Sequence, residues 1–133
     1  MVIKEESRLK FGFPDKSTVV KFDSTLFYRD YFNRFPNSKG VDFISVDKNI
    51  LALIEVKNCT GDDENCRLRI APDNKKKDTV HTEVDIKERD SLDIEMAHKV
   101  AMTLAALCGA KSFETTKGCR SELETILQWM SAD

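Results

Sequence analysis

Residues 40–58, GVDFISVDKNILALIEVKN, constrain this chain more than any other stretch. Segments 41–46 and 50–57 are rich in Val, Ile and Leu, and DKN between them offers turn residues, so the stretch predicts a buried β-hairpin. If Lys48 and Asn49 form a two-residue loop, Asp47 pairs with Ile50. Counting back along both strands then sets Asp42 directly across from Glu55. Opposed residues share a face, so two carboxylates stand roughly 5 Å apart at their β-carbons. Lys57 follows Glu55 by two residues, and strand alternation turns it to the same face. A three-residue loop would send Asp42 to the other face instead.

Facing like charges destabilise a sheet, and residues 50–54 are apolar on both faces, as in a central strand covered by helices. The arrangement therefore calls for a compensating partner, and a divalent cation is the simplest one. Mg²⁺, or Mn²⁺ in its place, prefers oxygen ligands and keeps several waters, so Asp42 and Glu55 with a substrate phosphate would suffice to hold it. Such an ion lowers the pKa of a bound water and offsets charge on a scissile phosphate, and the Lys57 ammonium suits the orientation of that water. The bland alternative is a solvated Glu55–Lys57 pair at a strand end, worth under about 1 kcal/mol.

Upstream, residues 17–22 are short and β-rich. Asp23, Ser24 and Thr25 offer caps for a helix whose Leu26, Phe27, Tyr31, Phe32 and Phe35 recur at helical spacing until Pro36, a core stripe that leaves Tyr28 and Arg29 outward. Downstream, RDSLDIEMAHKVAMTLAALCG reads as a helix capped by Asp90 or Ser91 and stopped at Gly109. Its expected inner stripe is Ile94, Ala97, Ala101, Leu104 and Cys108, broadened by Met96, Val100 and Leu107, with His98 and Lys99 opposite in solvent. Residues 121–131 form a short amphipathic helix with Leu123, Ile126, Leu127 and Met130 on its apolar side and Trp129 beside them. It docks on the domain or on a second copy, so a homodimer is among the expected assemblies.

An acid in one strand, followed in the next by an acid, any residue and a lysine, resembles the PD-(D/E)xK or restriction-endonuclease-like nuclease superfamily, matched by Asp42 and by Glu55, Val56 and Lys57. The succession of a capped aromatic helix, the KGVDF strand, the ALIEVKN strand and a later apolar helix is similar to that superfamily's core over residues 17–109. The resemblance implies an α/β fold with a restriction-endonuclease-like αβββα core and a mixed sheet. Nothing after Gly109 reads as a buried strand, so the core's final strand is expected to be missing or supplied in trans. It also implies metal-dependent phosphodiester hydrolysis of nucleic acid, with Asp42 and Glu55 as metal ligands and Lys57 assisting the attacking water. The same fold without activity, serving as a nucleic-acid-binding or protein-assembly module, is the alternative.

The 133 residues, 41% hydrophobic and 33% charged, suit one domain with a real core. A formal net charge of −2 gives no global pull on nucleic acid, so a basic patch must supply it. Residues 59–89 hold the candidates: Arg67, Arg69, Lys75, Lys76 and Lys77 lie on a projecting arm or loop, where they would contact phosphates or simply be solvated. DNA is the expected polymer. Cys59, Cys66, Cys108 and Cys119 lack a zinc-ligand spacing and are expected as reduced thiols, Cys108 as a packing residue. No apolar run reaches membrane-spanning length, and the expected location is the cytoplasm.

Overall fold

The computed structural model describes residues 1–58, 60, 92–112 and 121–131. Strands β1 (Val2–Glu6) and β2 (Leu9–Phe13) form an antiparallel hairpin, and β3 (Thr18–Lys21), β4 (Phe43–Asp47) and β5 (Ile50–Ile54) form an antiparallel sheet in the order β3-β4-β5. Helix α1 (Leu26–Asp30) lies between two 3-10 turns, Phe22–Ser24 and Phe32–Arg34, and α2 (Leu92–Ser112) and α3 (Glu124–Trp129) follow. The protein is thus α/β, and its described strands pair antiparallel throughout where a mixed sheet was expected. Among the described residues β4 is the central strand and β5 has a partner on one side, which reverses the expected placing of 50–54 at the centre.

The β4–β5 turn behaves as the sequence requires. Asp47 pairs with Ile50, and the ladder runs back to Phe43 against Ile54, so Lys48 and Asn49 are the whole loop. Lys48 takes a positive φ of 49°, which belongs to the turn family whose twist matches that of the strands. Trp129 Nε1 donates to the Lys48 carbonyl at 2.9 Å, tying α3 to this turn.

Period-2 alternation divides the sheet into two packed faces. Ile44 and Val46, with Leu51 and Leu53 across from them, join the main core with Leu107 and Ala110 of α2 and Ile126 and Leu127 of α3. Phe43 turns the other way and meets Phe11 and Phe13 of the first hairpin, with ring centroids 6.0 and 6.2 Å away. The C-terminal helix docks on its own domain, through Leu123, Ile126 and Leu127.

Two helical expectations need correction. Thr25 does cap α1, its side chain accepting from Tyr28 N at 3.0 Å, but the helix ends at Asp30. Tyr31 then leaves helical geometry (φ −121°, ψ −61°), and the tighter 3-10 turn that follows shifts which aromatic points inward. Phe27, Tyr28 and Phe32 pack with Phe22, whereas Tyr31 and Phe35 are exposed. Helix α2 runs through Gly109 to Ser112, and its inner face is not the expected one. Thr103, Ala106, Leu107 and Ala110 are buried, while Ile94 is 55% and Leu104 38% exposed and Ala97, Ala101 and Cys108 also face outward. The helix has apolar residues on both sides, so periodicity alone does not choose between them. Its expected caps, Asp90 and Ser91, lie outside the described residues.

Candidate active site

The site is assembled where β4 begins and β5 ends. Gly40 opens the approach: a β-carbon there would stand 2.7 Å from Tyr28 Cε2 and 3.0 Å from the Phe22 ring, so only glycine lets the two aromatics close on the backbone. Val41 N donates to Thr103 Oγ1 of α2 at 3.1 Å, and Phe22 N donates to the Asp42 carbonyl at 2.8 Å. Asp42 is thereby fixed between α2 and the first 3-10 turn.

One step beyond the last ladder pair, the β4–β5 register brings Asp42 opposite Glu55. Asp42 Oδ2 accepts from Val56 N at 2.7 Å, which clamps the two strand ends together. Burial pushes the Asp42 carboxyl above its ordinary value of 3.8; the Val56 N–H opposes this, the negative charge of Glu55 adds to it, and Lys99 offsets part of it. Asp42 also has acidic neighbours from two other elements. One carboxylate oxygen each from Glu6, at the end of β1, Asp23, in the first 3-10 turn, and Asp42 lie within 4.8 Å of one another. Glu55 stands outside that group. Lys21 Nζ lies 2.6 Å from Glu6 Oε2, and this contact holds Glu6 below its usual carboxylate value and Lys21 above the usual lysine value.

Glu55 has a different company. Its Oε1 takes Lys99 Nζ at 2.6 Å and Lys57 Nζ at 3.1 Å. Glu95 Oε1 faces the same two ammoniums, Lys57 at 3.0 Å and Lys99 at 3.8 Å. Two carboxylates and two ammoniums thus alternate in a ring between β5 and α2. Burial disfavours the Lys57 ammonium, but its hydrogen bonds to Glu95 and Glu55 outweigh this and raise its pKa above 10.5. The Glu55 side chain is only 9% exposed, and its Oε2 is buried with no hydrogen-bond partner among the described residues. A buried carboxylate oxygen in this state is costly unless something else meets it.

The three residues expected to form the site are therefore brought together: Asp42 faces Glu55, and Lys57 is bonded to Glu55. Lys99 is corrected, because it is a site residue with its side chain 16% exposed and not a solvated one. His98 is exposed, as expected. Arg67, Arg69, Lys75, Lys76 and Lys77 lie outside the described residues, as does the whole arm. Glu95 and Lys99 were discoverable in principle, since they are spaced i, i+4 beside the apolar row Met96, Val100, Thr103 and Leu107. Glu6, Lys21 and Asp23 offered no local signal; they reach Asp42 only through tertiary packing.

A model described as "Family of unknown function (DUF6661)" matches residues 25–133. The match takes in Asp42, Glu55, Lys57, Glu95 and Lys99 and leaves out β1, β2 and β3 with Glu6, Lys21 and Asp23. No curated protein and no solved structure matches the chain.

Proposed function

Because the chain belongs to a family of unknown function, DUF6661, its activity has to be argued from the site, and we propose that it is a metal-dependent phosphodiesterase acting on nucleic acid, most simply DNA. The observation that carries this reading is the state of Glu55. Two lysines hold its Oε1, its Oε2 is buried without a hydrogen-bond partner among the described residues, and a second acid, Asp42, is set across from it. Oxygen donors in this number suit Mg²⁺ or Mn²⁺. Asp42 and Glu55 would hold the ion, which would supply an activated water and offset charge on a phosphate oxygen.

The chain's own residues do the rest. Asp42 is oriented by Val56 N, which leaves its second oxygen for another partner. Lys99 fixes the rotamer of Glu55. Lys57 keeps its proton well above neutral pH, so it serves as a hydrogen-bond donor to a water or a phosphate oxygen and not as a base. Helix α1, strands β4 and β5 and helix α2 follow one another as in part of the restriction-endonuclease-like core that the sequence resembles, with two of its three strands among the described residues.

A second reading has its own observation. The ring of four charges satisfies Glu55 Oε1, Glu95 and both lysines without any ligand, as expected of a site retained for binding or assembly alone. Calorimetric titration of Mn²⁺ separates the two. The chain is expected to bind the ion and Asp42→Ala to lose it, and metal-dependent plasmid degradation is expected to vanish in Lys57→Ala. Absence of binding by the unaltered chain removes the enzymatic reading.

A further inference from the structure

The turn joining β1 to β2 places two consecutive non-glycine residues at positive φ, Ser7 at 51° and Arg8 at 65°. The ladder closes at Glu6 against Leu9, so these two residues are the entire loop. Such a loop, left-handed at both positions, is usually built from Asn-Gly, because a side chain with a β-carbon is strained there. A long cationic side chain is a poor choice for the turn itself. Its presence is better explained by what lies beside the turn.

Two contacts fix that location. Asn58, the residue after Lys57, donates from Nδ2 to the Ser7 carbonyl at 2.8 Å. Glu6, the residue before Ser7, has a carboxylate oxygen within 4.8 Å of one from Asp42. The turn is therefore docked beside both ends of the candidate site, next to Lys57 through Asn58 and next to Asp42 through Glu6. Arg8 is exposed there, and among the described residues it has no ion-pair partner, whereas the neighbouring Glu6 is taken up by Lys21. A guanidinium with no ion-pair partner among the described residues, carried by a turn that touches a site read as phosphodiesterase, suits the fork geometry of a phosphate group.

We propose that the β1–β2 turn forms one wall of the substrate site and that Arg8 binds a backbone phosphate of nucleic acid seated against Asp42 and Glu55. This rests on the phosphodiesterase reading above and adds a specific contact from outside the motif strands. Arg8 makes one phosphate contact and reads no base, so it contributes to affinity without sequence preference.

The test is fluorescence anisotropy of a labelled DNA duplex and its single strand, in Ca²⁺ to prevent cleavage, over a series of salt concentrations. Arg8→Gly is the informative variant, because glycine relieves the positive φ while removing the charge. It is expected to melt at or above the temperature of the unaltered protein, yet to bind DNA about fivefold more weakly at low salt. Its log-affinity should also fall less steeply with log salt, by about one. Arg8→Lys, which keeps the charge, is expected to retain most of the slope. If the unaltered chain binds DNA and Arg8→Gly binds with the same affinity and slope, the Arg8 assignment is overturned while the phosphodiesterase reading stands. If the unaltered chain binds neither DNA, both fall together.

Discussion

Around Asp42 three carboxylates gather with Lys21 as the cation on Glu6, whereas around Glu55 two carboxylates alternate with two ammoniums. The two groups adjoin at the ends of β4 and β5, yet they answer the problem of clustered charge in opposite ways. The Glu55 half is balanced by its own helix, and every one of its ammoniums has two carboxylate neighbours. The Asp42 half keeps an excess of negative charge, and the Asp42 carboxyl is pushed upward chiefly by burial, with the charges of Glu55 and Glu6 adding to it. A balanced ring needs no further charge, while clustered acids are relieved either by taking up a proton or by a cation. On the proposed reading the first would serve chiefly architecture and the second chiefly the ion, with Glu55 belonging to both through its two oxygens.

The largest expected effect breaks the balanced half. Lys99→Met keeps the bulk of the side chain and strips Glu55 of its closest cation, leaving a nearly buried carboxylate on Lys57 alone. We expect a loss of about 2 kcal/mol in urea unfolding, less than for a fully buried pair because Lys57 remains. Adding Glu55→Gln should recover much of it. A change below about 0.5 kcal/mol for Lys99→Met would place this ring with ordinary surface pairs and erase the contrast between the halves.

The next effect separates them. Asp42→Asn removes a carboxylate from the acid-rich half, so Mn²⁺ binding should weaken at least about tenfold, as for other changes near a metal's ligands. Stability should stay level or rise, since the lost charge was a buried and repelled one. A variant that unfolds easily and still binds Mn²⁺ would show that Asp42 is structural, through its bond to Val56 N.

How much of this was legible depended on whether the signal was local. The β4–β5 register followed from a two-residue loop and strand alternation, so Asp42, Glu55 and Lys57 could be set together without coordinates. Helix α2 was located but turned wrongly. Ile94, Ala97, Ala101 and Leu104 make as regular a row as Met96, Val100, Thr103 and Leu107, and what distinguishes the second is that Thr103 and Leu107 are buried while Glu95 and Lys99 beside it pair with Lys57 and Glu55, just past the end of β5. That pairing is a tertiary fact. The β1–β2 hairpin carries no legible turn signal, because Ser7-Arg8 is an unfavourable sequence for the turn it makes. Glu6 stayed hidden with it.

A smaller effect appears in the pH dependence of the metal-free protein. Asp42 has a raised folded-state pKa, so the folded chain holds this proton more tightly than the unfolded one. Its contribution must therefore fall as pH rises from the ordinary aspartate value of 3.8 through the raised one, and Asp42→Asn should flatten the stability curve there. Lys57 acts with the same sign in the alkaline range: its raised value adds stability that is complete below 10.5 and is lost as pH rises through the folded-state value. Urea midpoints of the unaltered chain and of Asp42→Asn across the acid range check the first. Parallel curves would mean that neither burial nor the neighbouring acids raise the Asp42 carboxyl in the folded chain.

The smallest effect is also the sharpest in sign. Lys21 is the cation of the acid-rich half, 37% exposed, and bonded to Glu6. Replacing it with Gln should cost under about 1 kcal/mol of stability, as for exposed pairs in general. Mn²⁺ binding should nevertheless tighten, by about threefold at low salt and less as salt is added, because a screened positive charge has been taken from beside the ion. Few substitutions that remove a stabilising contact improve a binding constant, so the two measurements must move in opposite directions. If Mn²⁺ affinity drops with stability in Lys21→Gln, the lysine is organising the carboxylates and not competing for them, and both halves of the site are then built on the same principle.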